Sequence, residues 1–510
     1  MSGRSALVAC ATSLQLLVAA WSAQAYHLLT HASVSQQAFD LSARLRDYAE
    51  DVAINTDDIF DPDGDAAAST EFAGFAHRGT LRDWFATGAI REDDYLPHPV
   101  FESLFGCEPP LNPQSPDEQL DRPKHHFFDV QREGAGFTLV GGLPALDWAQ
   151  GLQGRGPTPQ QNHFSLPDAR VYQLRSLTGS RRVERDRNLA RLFRTLGHIA
   201  HVLQDMAQPQ HTRHDPHLGC TSAVLEFVAG GKSWYETYTE TRARNQRYRS
   251  RNDASRPLVL SGYGPVGFHA YRDYWANASG SGLADFSSRN FFSAGTNLGS
   301  FSVAGACGGL PQPVCDSHAY RTEDVPFTIP TLIGDALTGR VRFFLRDVAD
   351  PVTGQVVQNV RVSSRSLWDQ HLETSRQPPK FSLTTYNYDV MADVLLPRAV
   401  GYSAGVLDRF FRGRLDVDLV HDGADPSVAR LTGTNASPEA LVDGTLTLYA
   451  EDTMTGTRSA VTALDSTAIT GVAPGGAVVS ARFQIPDGAE RFVAVYEGTL
   501  GTEVSPSGSR

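Results

Sequence analysis

Cysteine is scarce in this chain, and positive charge is not in excess. Only 5 of its 510 residues are cysteine, and no two of them have the C-x-x-C spacing of a zinc-thiolate site. Acidic residues outnumber basic ones by 57 to 45, which gives a formal net charge of −12. Proteins that clamp nucleic acid by electrostatics usually carry a basic domain. The charge balance therefore argues against that class, without excluding an enzyme that acts on nucleic acid at a local metal site.

Long apolar runs are absent beyond the amino terminus. Residues 1–25 contain one charged residue, Arg4, an apolar stretch from Ala6 to Trp21, and the sequence Ala23-Gln24-Ala25. This pattern predicts a secretory signal peptide that is cleaved after Ala25. No later run approaches the roughly 20 apolar residues that span a bilayer. We therefore expect a secreted or periplasmic protein that is soluble or in peripheral contact with a membrane, with no obligate protein partner evident.

The predicted cleavage leaves four cysteines, Cys107, Cys220, Cys307 and Cys315. An even number of cysteines in an exported protein favours disulfide bonds. Cys307 with Cys315 would close a short loop and leave Cys107 for Cys220, which is one of three pairings that four cysteines allow.

Composition predicts more than one domain in a chain of this length. Helical patterns dominate residues 27–255, and the segment 257–330, rich in Gly, Ser and aromatic residues, predicts ordered loops with short helices. Alternating residues at 341–345 and 356–362 predict a hairpin that turns at Thr353-Gly354. Helical periodicity returns over 386–412, with a kink or a break expected at Pro397.

Beyond Gly413 the composition changes to Thr, Val, Gly, Asp and Ser, with short strands that suggest a small β-sandwich. We therefore predict a mainly α fold with a β-sandwich-like C-terminal domain. The predicted boundaries are a signal peptide at 1–25, a helical domain at 26–412 with a loop and hairpin insertion at about 257–380, and a β-rich domain at 413–510.

One short segment carries the strongest chemical signal. His201 and Asp205 lie four residues apart on an apolar-periodic segment, so on a helix both project from one face. Pro209 ends or bends that helix, and His211 follows it. Imidazole and carboxylate are ligands that zinc prefers. Further groups of these two types lie nearby, namely His198, His214, Asp215 and His217. Their number favours a metal site over the alternative, a solvated polar face of an amphipathic helix.

The pattern of His201, Asp205, Pro209 and His211 resembles the zinc-dependent bacterial phospholipases C and the related single-strand-specific nucleases. This resemblance implies an all-helical fold that binds about three zinc ions. Upstream, the run from Lys124 to Asp129 is similar to the family's His-Phe-Tyr-Asp segment, which implies His126 as a ligand, with His125 as the alternative. Residues 84–94 resemble a Gly-x-x-x-x-Asp stretch, which implies Asp93, with Asp94 as the alternative.

The family resemblance also assigns a ligand to the new amino terminus. In this family the first mature residue binds zinc through its α-amino nitrogen and carbonyl oxygen, and a histidine follows a few residues later. Tyr26 and His31 fit that layout, and a site held by His27 and His31 alone is the alternative. The family's His-x-x-x-Glu pair is less regular here, because Lys232 occupies the histidine position before Glu236. His217 and Glu236 are the implied ligands, and Glu226 competes with Glu236.

The resemblance therefore implies nine zinc ligands, namely Tyr26, His31, Asp93, His126, His201, Asp205, His211, His217 and Glu236. It assigns the catalytic role to Asp93 and Asp205, with Asp205 bridging two zinc ions. The implied activity is the hydrolysis of a phosphodiester in a phospholipid or a nucleic acid. The β-rich tail favours a phospholipase C-like enzyme over the nuclease alternative.

Two alternatives belong to other classes of protein. Gly401-Tyr402-Ser403-Ala404-Gly405 matches the G-x-S-x-G pattern of serine esterases, but this motif requires a strand–turn–helix context, and here it lies within an apolar helical pattern. An exported binding protein without catalytic activity is the second alternative, which a low metal content would favour.

Overall fold

The structure is a computed structural model that describes residues 28–60, 78–93, 122–136, 141–152, 161–213, 233–248, 258–293, 320–330, 336–365, 381–423 and 425–503. The predicted signal peptide and all five cysteines lie outside these residues. The chain forms two compact units. The first unit comprises Met1–Ala38, Ala89–Asn162 and Ala200–Ser403, and the second comprises Phe39–Gly88, His163–Ile199 and Ala404–Arg510.

Helices dominate the amino-terminal two thirds of the described chain. The α-helices are α1 (Leu28–Leu41), α2 (Ala43–Asp51), α3 (Leu81–Arg91), α4 (Ala145–Ala149), α5 (Leu166–Thr178), α6 (Arg182–Gln204), α7 (Trp234–Tyr248), α8 (Arg272–Trp275), α9 (Leu283–Asn290) and α10 (Thr385–Phe410). Short 3-10 turns occur at Pro123–His125, Val130–Arg132 and Asp205–Ala207. Helix α5 begins with a capping box, in which the Asp168 carboxylate accepts the backbone N–H of Ser165 at 2.9 Å.

Helix α6 follows the apolar periodicity of the sequence. The apolar residues that recur along this helix are all buried, namely Leu189, Leu192, Phe193, Leu196, Ile199 and Leu203. Within the second unit, Gly88 of α3 lies against the backbone of α6, where an added Cβ would be 1.9 Å from the carbonyl oxygen of Arg194. Only glycine permits an approach of this kind between two helices.

Helix α10 bears on two expectations, that of a kink or a break at Pro397 and that of no long apolar run beyond the amino terminus. It continues through Pro397 without a break, because burial of its apolar residues outweighs the roughly 3 kcal/mol that an interior proline costs. Among the described residues, α10 is also the one helix whose length and composition would allow it to cross a membrane. The most apolar part of this helix is 89% buried, as in the core helix of a globular protein.

A four-stranded antiparallel sheet belongs to the first unit. Its strands are β1 (Arg321–Pro330), β2 (Ala336–Ala349), β3 (Val356–Arg365) and β4 (Phe381–Ser382), paired in that order. The predicted hairpin is confirmed as β2 and β3, and Gly354 adopts a φ of 70° at its turn. The prediction of ordered loops with short helices over residues 257–330 is wrong at its carboxyl end, because Arg321–Pro330 form strand β1. Its two prolines obscured the alternation of Val325, Phe327 and Ile329, and an edge strand tolerates proline.

The remaining strands belong to the second unit and form two antiparallel sheets. They are β5 (Leu415–Asp422), β6 (Asp425–Asn435), β7 (Leu441–Glu451), β8 (Arg458–Ala460), β9 (Thr462–Ala463), β10 (Ala468–Val472), β11 (Ala477–Gln484) and β12 (Arg491–Leu500). One sheet has the order β5–β6–β11–β9, and the other has β10–β7–β12 with β8 paired to β7. Leu431 and Phe483 of the first sheet share one buried core with Leu446 and Leu448 of the second. The expected combination of helices with C-terminal antiparallel sheets is thus present, whereas the domain boundary at 412 stays a prediction.

Candidate metal centre

The end of helix α6 brings His201 and Asp205 together. The helix ends at Gln204, and Asp205 begins a 3-10 turn, so the two side chains stay on one face, with His201 Nε2 3.4 Å from Asp205 Oδ2. Gln208 is extended, as expected for a residue that precedes proline. The turn then closes with a hydrogen bond from the His211 N–H to the Gln208 carbonyl oxygen at 3.1 Å. The helix thus stops before Pro209, and the turn keeps His211 near Asp205.

Two backbone contacts hold the segment of His126 beside His211. The Phe128 N–H donates to the His211 carbonyl oxygen at 2.9 Å, and the His211 ring Nδ1 donates to the His126 carbonyl oxygen at 3.0 Å. As a result, His126 Nδ1 lies 3.0 Å from Asp205 Oδ2. His125 lies elsewhere, stacked on the Trp148 ring at 3.9 Å. The structure therefore places His126, and not the alternative His125, next to Asp205.

Three more predicted ligands come from other elements. Asp93 follows α3, and its Oδ1 is 3.5 Å from both His126 Nδ1 and His201 Nε2. His31 of α1 stacks on the His201 ring at 3.7 Å, and its Nε2 is 3.4 Å from Asp205 Oδ1. Glu236 in the first turn of α7 has its Oε1 3.9 Å from the Nε2 of His211.

The structure brings seven of the nine predicted ligands together, all buried: His31, Asp93, His126, His201, Asp205, His211 and Glu236. Two sets of three have ligand atoms that all lie within 4.8 Å of one another, namely His31, Asp93 and His201, and His126, His201 and Asp205. Tyr26 and His217 lie outside the described residues, as do the alternatives His27, Asp94 and Glu226. Their assignment stays a prediction.

Protein acceptors orient three of the four imidazoles. The Nδ1 of His31 lies 2.7 Å from Gln204 Oε1, that of His201 contacts the Ala89 carbonyl oxygen, and that of His211 contacts the His126 carbonyl oxygen. These contacts commit Nδ1 as the donor and turn the Nε2 lone pair toward the carboxylates, which is the arrangement of metal-binding histidines. The sequence analysis missed Gln204, although it directly precedes Asp205 on the helix that bears the ligands.

The carboxylate at the middle of this group is ionised but lacks hydrogen bonds. Burial by itself would raise the pKa of Asp205, but His201, His211 and His126 outweigh it and hold the pKa well below its usual range. Burial lowers the pKa of His201 to about 4, and the nearby charge of His31 adds to this effect. Neither carboxylate oxygen of Asp205 accepts a well-aligned hydrogen bond. Burying an ionised carboxylate without well-aligned hydrogen bonds costs free energy, and a bound cation would supply the missing partner.

The G-x-S-x-G motif has a different environment. Residues 401–405 lie in the middle of helix α10, and Ser403 is completely buried. A nucleophile elbow instead requires an exposed serine on a sharp turn between a strand and a helix. Ser403 therefore has neither the access nor the backbone geometry that a serine esterase needs.

Comparisons with known proteins give only remote likenesses. No protein-family profile matches the chain, and no curated protein matches it. Among solved structures, the alpha toxin from Clostridium absonum has 12% sequence identity and a TM-score of 0.26, over 95% of this chain and 93% of that one. The Clostridium perfringens alpha-toxin from avian strain SWCP has 11% identity and a TM-score of 0.25, over 94% of this chain and 88% of that one. Likenesses this remote carry no argument about the fold or the function of this chain.

Proposed function

We propose that this protein is an exported, zinc-dependent phosphoric ester hydrolase with a phospholipase C-like activity. One observation carries this proposal. Four imidazoles from separate parts of the sequence lie within 3.9 Å of Asp205, whose two oxygens are buried without well-aligned hydrogen bonds, and Asp93 and Glu236 add two more buried carboxylates to the cluster. A globular core does not bury such a group without a partner, and a divalent cation is the partner that these ligands suit.

The ligand types favour zinc over harder cations. Magnesium and calcium prefer all-oxygen ligands, whereas nitrogen and oxygen donors together suit zinc. Asp205 would offer one oxygen to each of two ions, a role supported by the approach of Oδ1 to His31 and of Oδ2 to His126 and His201. His211 and Glu236, with the predicted ligands Tyr26 and His217, would complete the set for about three ions.

Zinc held by these residues would polarise a phosphoryl oxygen and lower the pKa of a water molecule at the site to about 7. The residues of the chain prepare the site for this chemistry. The carboxylates of Asp93 and Asp205 supply the negative charge that retains the ions, and they lie on both sides of the His201 ring nitrogen at 3.5 and 3.4 Å. Burial of the ligands excludes bulk water, which strengthens each of these electrostatic contacts.

The choice of substrate can be tested by direct comparison. Processed, zinc-loaded protein is assayed in parallel on phosphatidylcholine vesicles and on single-stranded DNA. We expect release of the phosphorylated head group and no cleavage of the DNA, because the β-rich C-terminal strands extend the chain beyond a helical catalytic domain. Cleavage of DNA alone would replace the phospholipase with the nuclease alternative. Zinc binding without either reaction would favour a binding protein.

A further inference from the structure

His126 differs from His31 and His201 in the nitrogen that it turns toward Asp205. Its Nδ1 lies 3.0 Å from Asp205 Oδ2 and 3.5 Å from Asp93 Oδ1, whereas His31 and His201 present Nε2. The Nε2 of His126 is buried and makes no hydrogen bond. A carboxylate oxygen faces this nitrogen, because Glu92 Oε1 lies 3.7 Å away.

Other side chains hold Glu92 in place. The indole N–H of Trp148 donates to Glu92 Oε1 at 2.7 Å, and the guanidinium of Arg122 donates to Oε2 at 2.9 Å through Nε and also through Nη2. Asn162 closes the network, since its Oδ1 accepts from Arg122 at 3.2 Å and its Nδ2 donates to the Trp148 carbonyl oxygen at 2.8 Å. Glu92 is therefore a rigid group at a fixed distance from His126.

The same contacts argue against Glu92 as a metal ligand. Both of its oxygens already accept N–H groups, and its charge is balanced by the fully buried Arg122. A zinc ion at Glu92 would compete with the fully buried Arg122 for this carboxylate and would weaken a buried ion pair. Asp93, the next residue in the chain, faces His126 and His201, with its Oδ1 3.5 Å from a ring nitrogen of each.

We propose that Glu92 is a positioning residue for metal binding. It accepts the Nε2 proton of His126 and so makes Nδ1 the ligand atom. In a neutral imidazole one nitrogen carries the proton and the other has the lone pair. A carboxylate beside Nε2 selects the tautomer with the proton there and increases the basicity of Nδ1. A cation at Nδ1 would make the Nε2–H a stronger donor toward Glu92 Oε1, which lies 3.7 Å from it. This inference rests on the metal site of the proposed function.

The test is the zinc affinity of Glu92→Gln, measured by competition with a chromophoric chelator at constant pH. The amide keeps the size of the side chain but removes its charge, and we expect affinity at one site to fall about 10- to 100-fold. Asn162→Ala is the matched control, because it alters the same network without touching Glu92 or His126. Its zinc affinity should stay near that of the wild type. Trp148→Phe should also retain zinc, because Glu92 Oε1 would still face the Nε2 of His126.

A second measurement does not depend on the folding of any variant. Long-range ¹⁵N NMR of zinc-loaded wild-type protein reports which nitrogen of His126 carries the proton, and we expect Nε2–H. A proton on Nδ1 would overturn the inference, as would equal zinc affinity in Glu92→Gln and the wild type, or equal losses in Glu92→Gln and Asn162→Ala. In all three cases the wild type still binds zinc, so the proposed function stands. A wild-type protein that binds no zinc would instead refute the proposed function itself.

Discussion

Two groups of carboxylates in this protein, one partly exposed and one fully buried, differ in what satisfies them. In the second unit, Glu439 and Glu503 accept hydrogen bonds from arginines: Arg412 donates to both at 2.8 and 2.7 Å, Arg409 donates to Glu439 at 2.5 Å, and Arg170 donates to Glu503 at 2.6 Å. In the first unit, the oxygens of Asp205 are surrounded by imidazole rings and accept no hydrogen bond.

The comparison shows that the partners of a carboxylate distinguish a structural ion network from a ligand site. Three guanidinium groups face two carboxylates around Glu503, so the chain itself balances the charge. Around Asp205 the carboxylates of Asp93 and Glu236 add negative charge, and the imidazoles are neutral when they serve as ligands. Arginines balance the first network, whereas the carboxylates around Asp205 lie among imidazoles, and this mixture of ligands suits divalent cations such as zinc.

The largest effect is expected from Asp205→Asn. An amide cannot be shared between two cations as a carboxylate can, so we expect hydrolysis to fall by more than about a hundredfold and bound metal to be lost. Turnover and metal content are measured on the same preparation.

Ser403→Ala is the control for this variant, and it should retain most of the activity. The reverse result, an inactive alanine variant beside an active Asp205→Asn, would point to a serine esterase despite the burial of Ser403.

A smaller effect, on stability and its pH dependence, is expected from Glu503→Gln. Burial alone would raise the pKa of Glu503, but Arg170 and Arg412 outweigh it and lower the pKa to about 2 from the ordinary 4.5. Because the folded-state pKa is depressed, the stabilisation is fully present above pH 4.5 and is lost as the pH falls toward 2. Glu503→Gln should therefore lower the free energy of unfolding by about 2 kcal/mol at pH 7. Denaturant titrations at several pH values measure this difference.

Asp465→Asn is the matched comparison for Glu503. Arg482 also holds the pKa of Asp465 at about 2, but both side chains of that pair are more than two-fifths exposed. Solvent screens an exposed pair, so its removal should change the unfolding free energy less than Glu503→Gln does. If the free energies of unfolding of the wild type and Glu503→Gln changed in parallel between pH 4.5 and 2, the account would be contradicted.

The smallest effect is expected from Gln204, which orients His31. Its Nε2 donates to Ser35 Oγ at 2.9 Å, which directs its Oε1 to His31 Nδ1. Gln204→Leu removes the acceptor and should weaken zinc binding about tenfold, whereas Gln204→Glu keeps an acceptor and should retain it. Chelator competition compares the two variants, and equal affinities would show that Gln204 has no orienting role.

Local geometry explains which parts of the site could be predicted. The spacing of His201 and Asp205 places both on one face of any helix, and the apolar periodicity of α6 predicts that helix without knowledge of its neighbours. The network of Glu92 could not be predicted in this way. Glu92 is adjacent to Asp93 in the sequence, but its role depends on Arg122 and Trp148, which reach it only through the tertiary fold.

The same distinction applies to the fold. The hairpin of β2 and β3 follows from alternation around a glycine turn, which is a local signal. Strand β1 pairs with β2 over its whole length, and this pairing stabilises it despite the prolines at 326 and 330. The continuation of α10 through Pro397 likewise depends on burial against the rest of the protein. Both features arise from tertiary contacts that no local pattern contains.

The most direct test of the central claim is the metal content of the processed wild-type protein. Elemental analysis after exhaustive dialysis, with the protein concentration taken from amino-acid analysis, reports the zinc bound per chain. The buried cluster of imidazoles and carboxylates around Asp205 predicts about three zinc ions in the wild type and fewer in Asp205→Asn. One ion or none in the wild type would contradict the trinuclear site, and an unchanged content in Asp205→Asn would contradict the central place of Asp205.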